Sequence, residues 1–421
     1  MDKAVFCTAD ILLPKNVDMT KWSVVACDQY TSEPDYWKRV EQQVGEAPST
    51  LHITLPEVYL EGEDLPGRIQ TINQTMEKYL QEDLLQVLCD SFLYVERTLA
   101  DKQVRKGLVG AVDLEQYDYA RGSQSLIRAT EGTVLERIPP RVRVRENAAL
   151  ELPHIMLLVD DQARTVIEPL GAQTGELKQV YDFALMENGG SIRGWQVPKD
   201  RAGGVQEALK TLADQEVFEE KYQVAGKGAL LFAVGDGNHS LATAKACYEN
   251  LKAVLSPEQA AVHPARYALV ELVNIHDPAL EFEPIHRVVF GADPDNMMKR
   301  LAEYFLLSET PCNGQKITVL RQGREQELWI KNPCSNLAVG SLQAFLDEYL
   351  RDNGGKVDYI HGEQVVRELS EQPSNVGFLL PNMEKSQLFP TVILDGALPR
   401  KTFSMGHAWD KRYYLESRRI R

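Results

Sequence analysis

ALLFAVGDGNHSLATAKACYENL, residues 229–251, runs six apolar residues into Gly235-Asp236-Gly237-Asn238-His239-Ser240 and then into a helical pattern. The apolar run has the length and continuity of a buried central strand, and two glycines let the chain turn sharply where other residues would be strained. Asn238 or Ser240 is placed to cap the helix that follows, in which Leu241, Ala244, Tyr248 and Leu251 recur at intervals of three and four. A helix start of this kind offers unbonded N–H groups, and flanking glycines allow a phosphate or carboxylate to approach closely. An ordinary capped turn accounts for the same local residues, because Asp-Gly and Gly-Asn are common turn dipeptides. The stretch is neither a Walker A loop nor a G-x-G-x-x-G fingerprint, since it lacks the Gly-Lys pair of the first and the third glycine of the second. His239 is of a type that donates to a phosphate oxygen or moves protons near neutral pH, and capping or packing explains it equally. Asp236 fits a Mg²⁺ ligand, a proton acceptor or an Asx-turn.

The 421-residue chain is long enough for two or three lobes, with 43% hydrophobic and 25% charged residues, as in ordinary globular proteins. Against 61 Asp and Glu stand 46 Lys and Arg, a net charge of −15 that argues against a nucleic-acid partner. A small anion remains compatible with an acidic protein, because one pocket can be locally positive. The six cysteines are scattered without a C-x-x-C pair, which reads as reduced thiols. Met1-Asp2-Lys3 leads into no apolar signal segment and no apolar run is long enough to span a bilayer, so a cytoplasmic location with no membrane partner is expected.

Strand and helix patterns mix along the whole chain, and an α+β fold with mixed sheets follows. Lobes are expected over residues 1–160, 161–295 and 296–421, with discontinuous lobes allowed because no linker stands out. In residues 24–37, VVACDQYTSEPDYW, a short strand and polar turn precede a helix capped by Thr31 or Ser32 with Pro34 in its first turn. Residues 121–145, rich in arginine and containing Pro139-Pro140, read as an irregular excursion. Arg128 and Glu131 lie within it, in LIRATEGT, and the arginine fork suits carboxylate or phosphate. His286 and Arg287, after Pro284, read as a fixed turn. Lys401 belongs to a final basic stretch of the kind that is usually solvated.

Taken together, GDGNHSLATA, LIRATEGT, PIHR and the terminal LPRKTF resemble the uncharacterised bacterial and archaeal family DUF1015, along nearly the whole chain. The resemblance implies a ParB/sulfiredoxin-like core elaborated by further lobes, a fold shared with the ADP-dependent free serine kinase. The family's Asp-Gly-His-His-Arg turn corresponds to Asp236, Gly237, Asn238, His239 and Ser240, so the arginine is missing at Ser240. Its Arg-Pro-His-Glu-x-Thr corresponds to Arg128, Ala129, Thr130, Glu131, Gly132 and Thr133. A sulfiredoxin-type reaction is not implied, because this turn has no cysteine.

The resulting expectation is phosphoryl transfer to or from a small hydroxylated metabolite, with serine or phosphoserine the leading pair and Mg²⁺ with ADP or ATP the implied cofactors. Gly235, Gly237, Asn238 and Ser240 would hold the phosphate, and Arg128, Thr133, His286, Arg287 and Lys401 would surround it. Asp236, His239, Glu131 and Asp28 are the candidate catalytic groups, Asp236 also the candidate metal ligand. A phosphatase and a non-catalytic sensor of a nucleotide or phosphorylated metabolite are the competing readings, and the oligomeric state is left open.

Overall fold

The computed structural model describes residues 4–31, 33–62 and 64–421. The readings placed on Met1-Asp2-Lys3 and on Ser32 lie outside these residues. The fold is α+β, and the chain divides into two compact units, Met1–Leu280 with His407–Arg421, and Glu281–Gly406.

An eleven-stranded sheet among the described residues organises the first unit. From one edge its strands run Tyr117–Asp118, Ile127–Ala129, Phe232–Asp236, Met156–Val159, Tyr267–Asn274, Val104–Asp113, Leu85–Thr98, Ser191–Pro198 and Lys178–Ala184, with Phe6–Cys7 and Ala9–Pro14 paired alongside. Period-two alternation sends successive residues to opposite faces. Phe92 and Tyr94 accordingly enter one core, and Leu93 and Val95 the other. On the first face lies the helix Asn238–Lys252, burying Leu241, Ala244 and Tyr248. On the second lies Leu65–Gln81, through Leu65, Ile72, Met76 and Tyr79.

The arginine-rich excursion is corrected in part. Ile138–Arg145 is a helix that packs against Asn238–Lys252. Pro139 and Pro140 occupy its first turn, where a missing N–H costs no hydrogen bond and the fixed φ is already helical.

Residues 407–421 are not a solvated tail. They return to the first unit, where Leu12 and Ser417 exchange backbone hydrogen bonds of 2.8 and 3.0 Å. Trp22 Nε1 donates to Leu415 O at 2.9 Å, and Tyr413, Tyr414 and Leu415 are buried. Two arginines of this strap have buried partners: Arg412 pairs with Glu271 and Glu416, and Arg418 Nε donates to Glu151 at 2.7 Å.

The second unit carries a seven-stranded antiparallel sheet among the described residues, in the order Leu307–Ser308, Arg324–Ile330, Gln315–Arg321, Asn375–Leu379, Phe282–Phe290 and Lys356–His361, with Phe403–Met405 also on Phe282–Phe290. His286 and Arg287 therefore sit within a strand and not in a turn. Pro284 is accommodated near the start of that strand, opposite Phe403. No helix among the described residues is long and apolar enough to cross a membrane.

Candidate functional site

The quoted stretch folds as strand Phe232–Asp236, the single residue Gly237, and helix Asn238–Lys252. Pairing with Met156–Val159 shifts register between Val234 and Asp236, so the strand end is irregular at Gly235. Gly237 has φ 79°, and a Cβ there would stand 3.0 Å from Ile155 Cα. A Gly237→Ala protein is expected to lose about 1–2 kcal/mol from the left-handed conformation alone, with the contact on Ile155 adding to it; urea unfolding measures the loss.

No side chain caps this helix. Asn238, expected as a cap, binds backwards instead, accepting from Thr130 N at 3.2 Å and donating to Thr130 Oγ1 at 3.3 Å. Thr130 in turn donates to Val234 O at 2.6 Å. Ile127–Ala129 runs parallel to Phe232–Asp236, so Thr130 and Glu131 emerge at the same sheet end as Asp236. Binding groups gather at the carboxyl ends of parallel strands for this topological reason. His239 Nε2 accepts from Val134 N at 3.4 Å, while the neighbouring Thr133 hydroxyl is buried with no hydrogen-bond partner among the described residues.

Around the turn the fold assembles groups that are distant in sequence. Lys411, from the C-terminal strap, lies 3.2 Å from Asp236 Oδ2, and Gly237 N donates to Oδ1 of the same carboxylate at 3.0 Å. Ser240 Oγ and His154 Nε2 are 2.8 Å apart, and Asp28 Oδ2 is 4.0 Å from that same nitrogen. The other ring nitrogen, Nδ1, is 2.7 Å from Tyr414 OH, which also donates to Cys27 Sγ at 3.0 Å. This is not a nucleophilic serine triad, because such a triad needs its carboxylate on the imidazole nitrogen away from the serine. Burial acts to raise the pKa of Asp28, but His154, the Gln29 amide and Lys411 outweigh it and hold the carboxyl below its usual 3.8. Burial pushes the Cys27 thiol and the Tyr414 phenol up, so both stay protonated and neutral at pH 7.

Other expected residues have different surroundings. Arg128 is buried, donating from Nε to Ser125 O at 2.8 Å and from one terminal nitrogen to Gly228 O and Ala229 O. Its guanidinium thus ties a strand to the loop before the next one, while the other terminal nitrogen is buried with no hydrogen-bond partner among the described residues. His286, Arg287 and Lys401 belong to the second unit, where Arg287 is fully buried and donates to Gln343 Oε1, Ile285 O, Lys401 O and Arg400 O. His286 Nδ1 accepts from Leu380 N at 3.1 Å, and burial lowers its pKa. These contacts fix backbone. Four residues of the assembled site, His154, Lys411, Tyr414 and Cys27, carried no local signal in the sequence, since each reaches the turn only through long-range folding.

A family model described as a protein of unknown function, DUF1015, matches residues 10–349. The chain belongs to the DUF1015 family. No curated protein matches this DUF1015 chain. Solved structures similar to it include free serine kinase in complex with AMP, 10% identical with a TM-score of 0.38, covering 76% of this chain and 93% of that one. SbnI with C-terminal truncation from Staphylococcus aureus is 11% identical, with a TM-score of 0.36 and coverage of 73% and 82%. A conserved hypothetical protein from Pyrococcus furiosus is 10% identical, with a TM-score of 0.35 and coverage of 75% and 92%. Likeness at this level assigns no ligand or activity to the DUF1015 chain.

Proposed function

We propose that this protein transfers a phosphoryl group between a nucleoside di- or triphosphate and the hydroxyl of a small metabolite. The supporting observation is the convergence on one uncapped helix start of a lysine, Lys411, an ionised carboxylate, Asp28, and the His154–Ser240 pair. The helix N–H groups and Lys411 hold the transferred phosphate, which supplies in part the positive charge missing at Ser240. As the acceptor oxygen bonds to phosphorus, the bridging P–O bond of the donor breaks and its electron pair leaves with the nucleotide. The hydroxyl proton passes to Asp28. His154 and Ser240 orient the acceptor, and catalysis rests on placement and electrostatics without a covalent intermediate.

Asp236 is a poor fit to the expected Mg²⁺ role. Its oxygens are engaged by Lys411 and Gly237 N, and among the described residues no group of three or more His, Cys, Asp or Glu is gathered to hold a metal. A magnesium ion would therefore arrive on the nucleotide phosphates. Serine and phosphoserine are the first acceptor and product to assay, with ATP and ADP as donors. Transfer that needs added nucleotide supports the proposal; phosphate release from phosphoserine without nucleotide supports a phosphatase, and ligand binding without turnover a sensor. A Lys411→Met protein is expected to bind ADP at least ~10-fold more weakly, the scale of one lost charge-assisted contact. Titration calorimetry reads this directly, and an unchanged Kd removes Lys411 from the phosphate site.

A further inference from the structure

A cavity of about 150 Å³ adjoins the N-terminal turns of the helix Asn238–Lys252, and its lining includes Ser240, Thr243, His154 and Tyr414. Ile53, Leu55, Met76, Val144, Leu152 and Leu269 make up much of the remaining wall. The polar side chains that line it already have partners inside the protein. Thr54 donates to Thr50 O and Thr243 to His239 O; Arg141 pairs with Glu57, Arg145 with Glu151, Tyr414 with Cys27 and Ser240 with His154. Each polar lining group already has an internal partner that a polar guest would have to share, whereas an apolar guest gains by burial against the aliphatic part of the wall. A volume of about 150 Å³ is the size that holds a benzene-sized molecule.

We infer that this cavity receives the carbon skeleton of the phosphoryl acceptor, and that the acceptor is an alcohol carrying a compact apolar group of up to benzene size. The inference rests on the phosphoryl-transfer reading and narrows its acceptor away from serine, whose three-carbon polar skeleton leaves the cavity unfilled. The hydroxyl lies at the Ser240–His154 end, and the apolar group points away from the turn. In the transfer the alcohol oxygen gains the phosphoryl group, its proton goes to Asp28 and the nucleotide leaves with the bridging oxygen.

Two measurements on the full chain test this. Toluene, which has no hydroxyl and so reports on the cavity alone, is expected to raise the Tm of the wild-type protein. It should bind at least ~10-fold more weakly to Val144→Phe, which fills the space, and equally to Leu152→Trp, which fills it from another wall residue, should the first variant not fold. With ATP and Mg²⁺, benzyl alcohol is expected to exceed serine by about 100-fold in kcat/KM, the scale of discrimination by an apolar pocket. Absence of toluene binding to the wild type, or a kcat/KM for serine equal to that for benzyl alcohol, overturns the inference. Toluene binding that Val144→Phe weakens, without transfer to either alcohol, supports the apolar pocket and counts against the phosphoryl-transfer reading instead.

Discussion

An Asp28→Asn protein is expected to lose about 10²–10⁴-fold in kcat, with the KM for nucleotide changed only a few-fold. The carboxylate is 4.0 Å from His154, and in the proposed reaction it acts on the acceptor, whereas the helix start and Lys411, 3.2 Å from Asp236, would hold the phosphate. Its loss therefore falls on the proton-transfer step more than on binding. Asn keeps the volume and the bond from Gln29 Nε2 to Oδ1, so folding is expected to survive. The pH profile separates a base from a structural carboxylate. The folded pKa of Asp28 lies below 3.8, so the group is ionised above that value and its protonation removes activity only as pH falls below it. An acid limb centred well above this value would belong to another group. Asp28→Glu is expected to recover part of kcat, and Asp28→Asn none, in steady-state assays.

The largest stability effect is expected at Arg412. Its guanidinium joins Glu271 on the central sheet to Glu416 on the strap, with all three side chains at most 2% exposed. Removing one partner leaves buried charge uncompensated, which costs about 3–5 kcal/mol. Arg412→Met should show this as a lower Tm and a lower urea midpoint, and it should weaken the site too, because Lys411 and Tyr414 ride on the same strap. For Glu271, burial acts to raise the pKa, and Arg412 first, then Arg105, outweigh it and hold the carboxyl below 4.5. A depressed folded pKa contributes stability at pH above the unfolded value, and that contribution is lost as pH falls through the folded one. In Arg412→Met the strongest opposing charge is gone, so the Glu271 carboxyl rises relative to the wild type, and protonating it relieves a less compensated buried charge. The stability gap between variant and wild type should narrow as pH falls from 7 toward about 5. A gap that is constant or widens over this range would show that the ion pair is not what holds the strap.

Local order explains what could be read directly. The strand, the positive-φ glycine and the helix of residues 229–251 are each specified within a few residues, and the apolar spacing puts Leu241, Ala244 and Tyr248 on the buried face, while Leu251, expected with them, is only half-buried. The mixed fold class follows from the same kind of pattern. Long-range pairing explains what could not be read. The tail 407–421 is basic and looks solvated, yet Arg412 and Arg418 are neutralised by Glu151, Glu271 and Glu416, of which the first two lie more than a hundred residues away. Lys411, the cation paired with Asp236, shares that concealment. Arginine at a loop or turn often faces solvent, but Arg287 is taken up by carbonyl oxygens of its own unit, and Arg128 by Ser125 O, Gly228 O and Ala229 O through all but one terminal nitrogen. Pro139-Pro140 signalled a break, although prolines at a helix start are compatible with the helix that follows.

The central claim is phosphoryl transfer to a hydroxyl at the Gly237 turn, and ³¹P NMR tests it most directly. Wild-type protein is incubated with ATP or ADP, Mg²⁺ and, in turn, serine and benzyl alcohol. A new phosphate monoester resonance, dependent on nucleotide and reduced at least about 100-fold in initial rate by Asp28→Asn, is the predicted result. No monoester from either acceptor with the wild type, or equal rates in the wild type and Asp28→Asn, would contradict it.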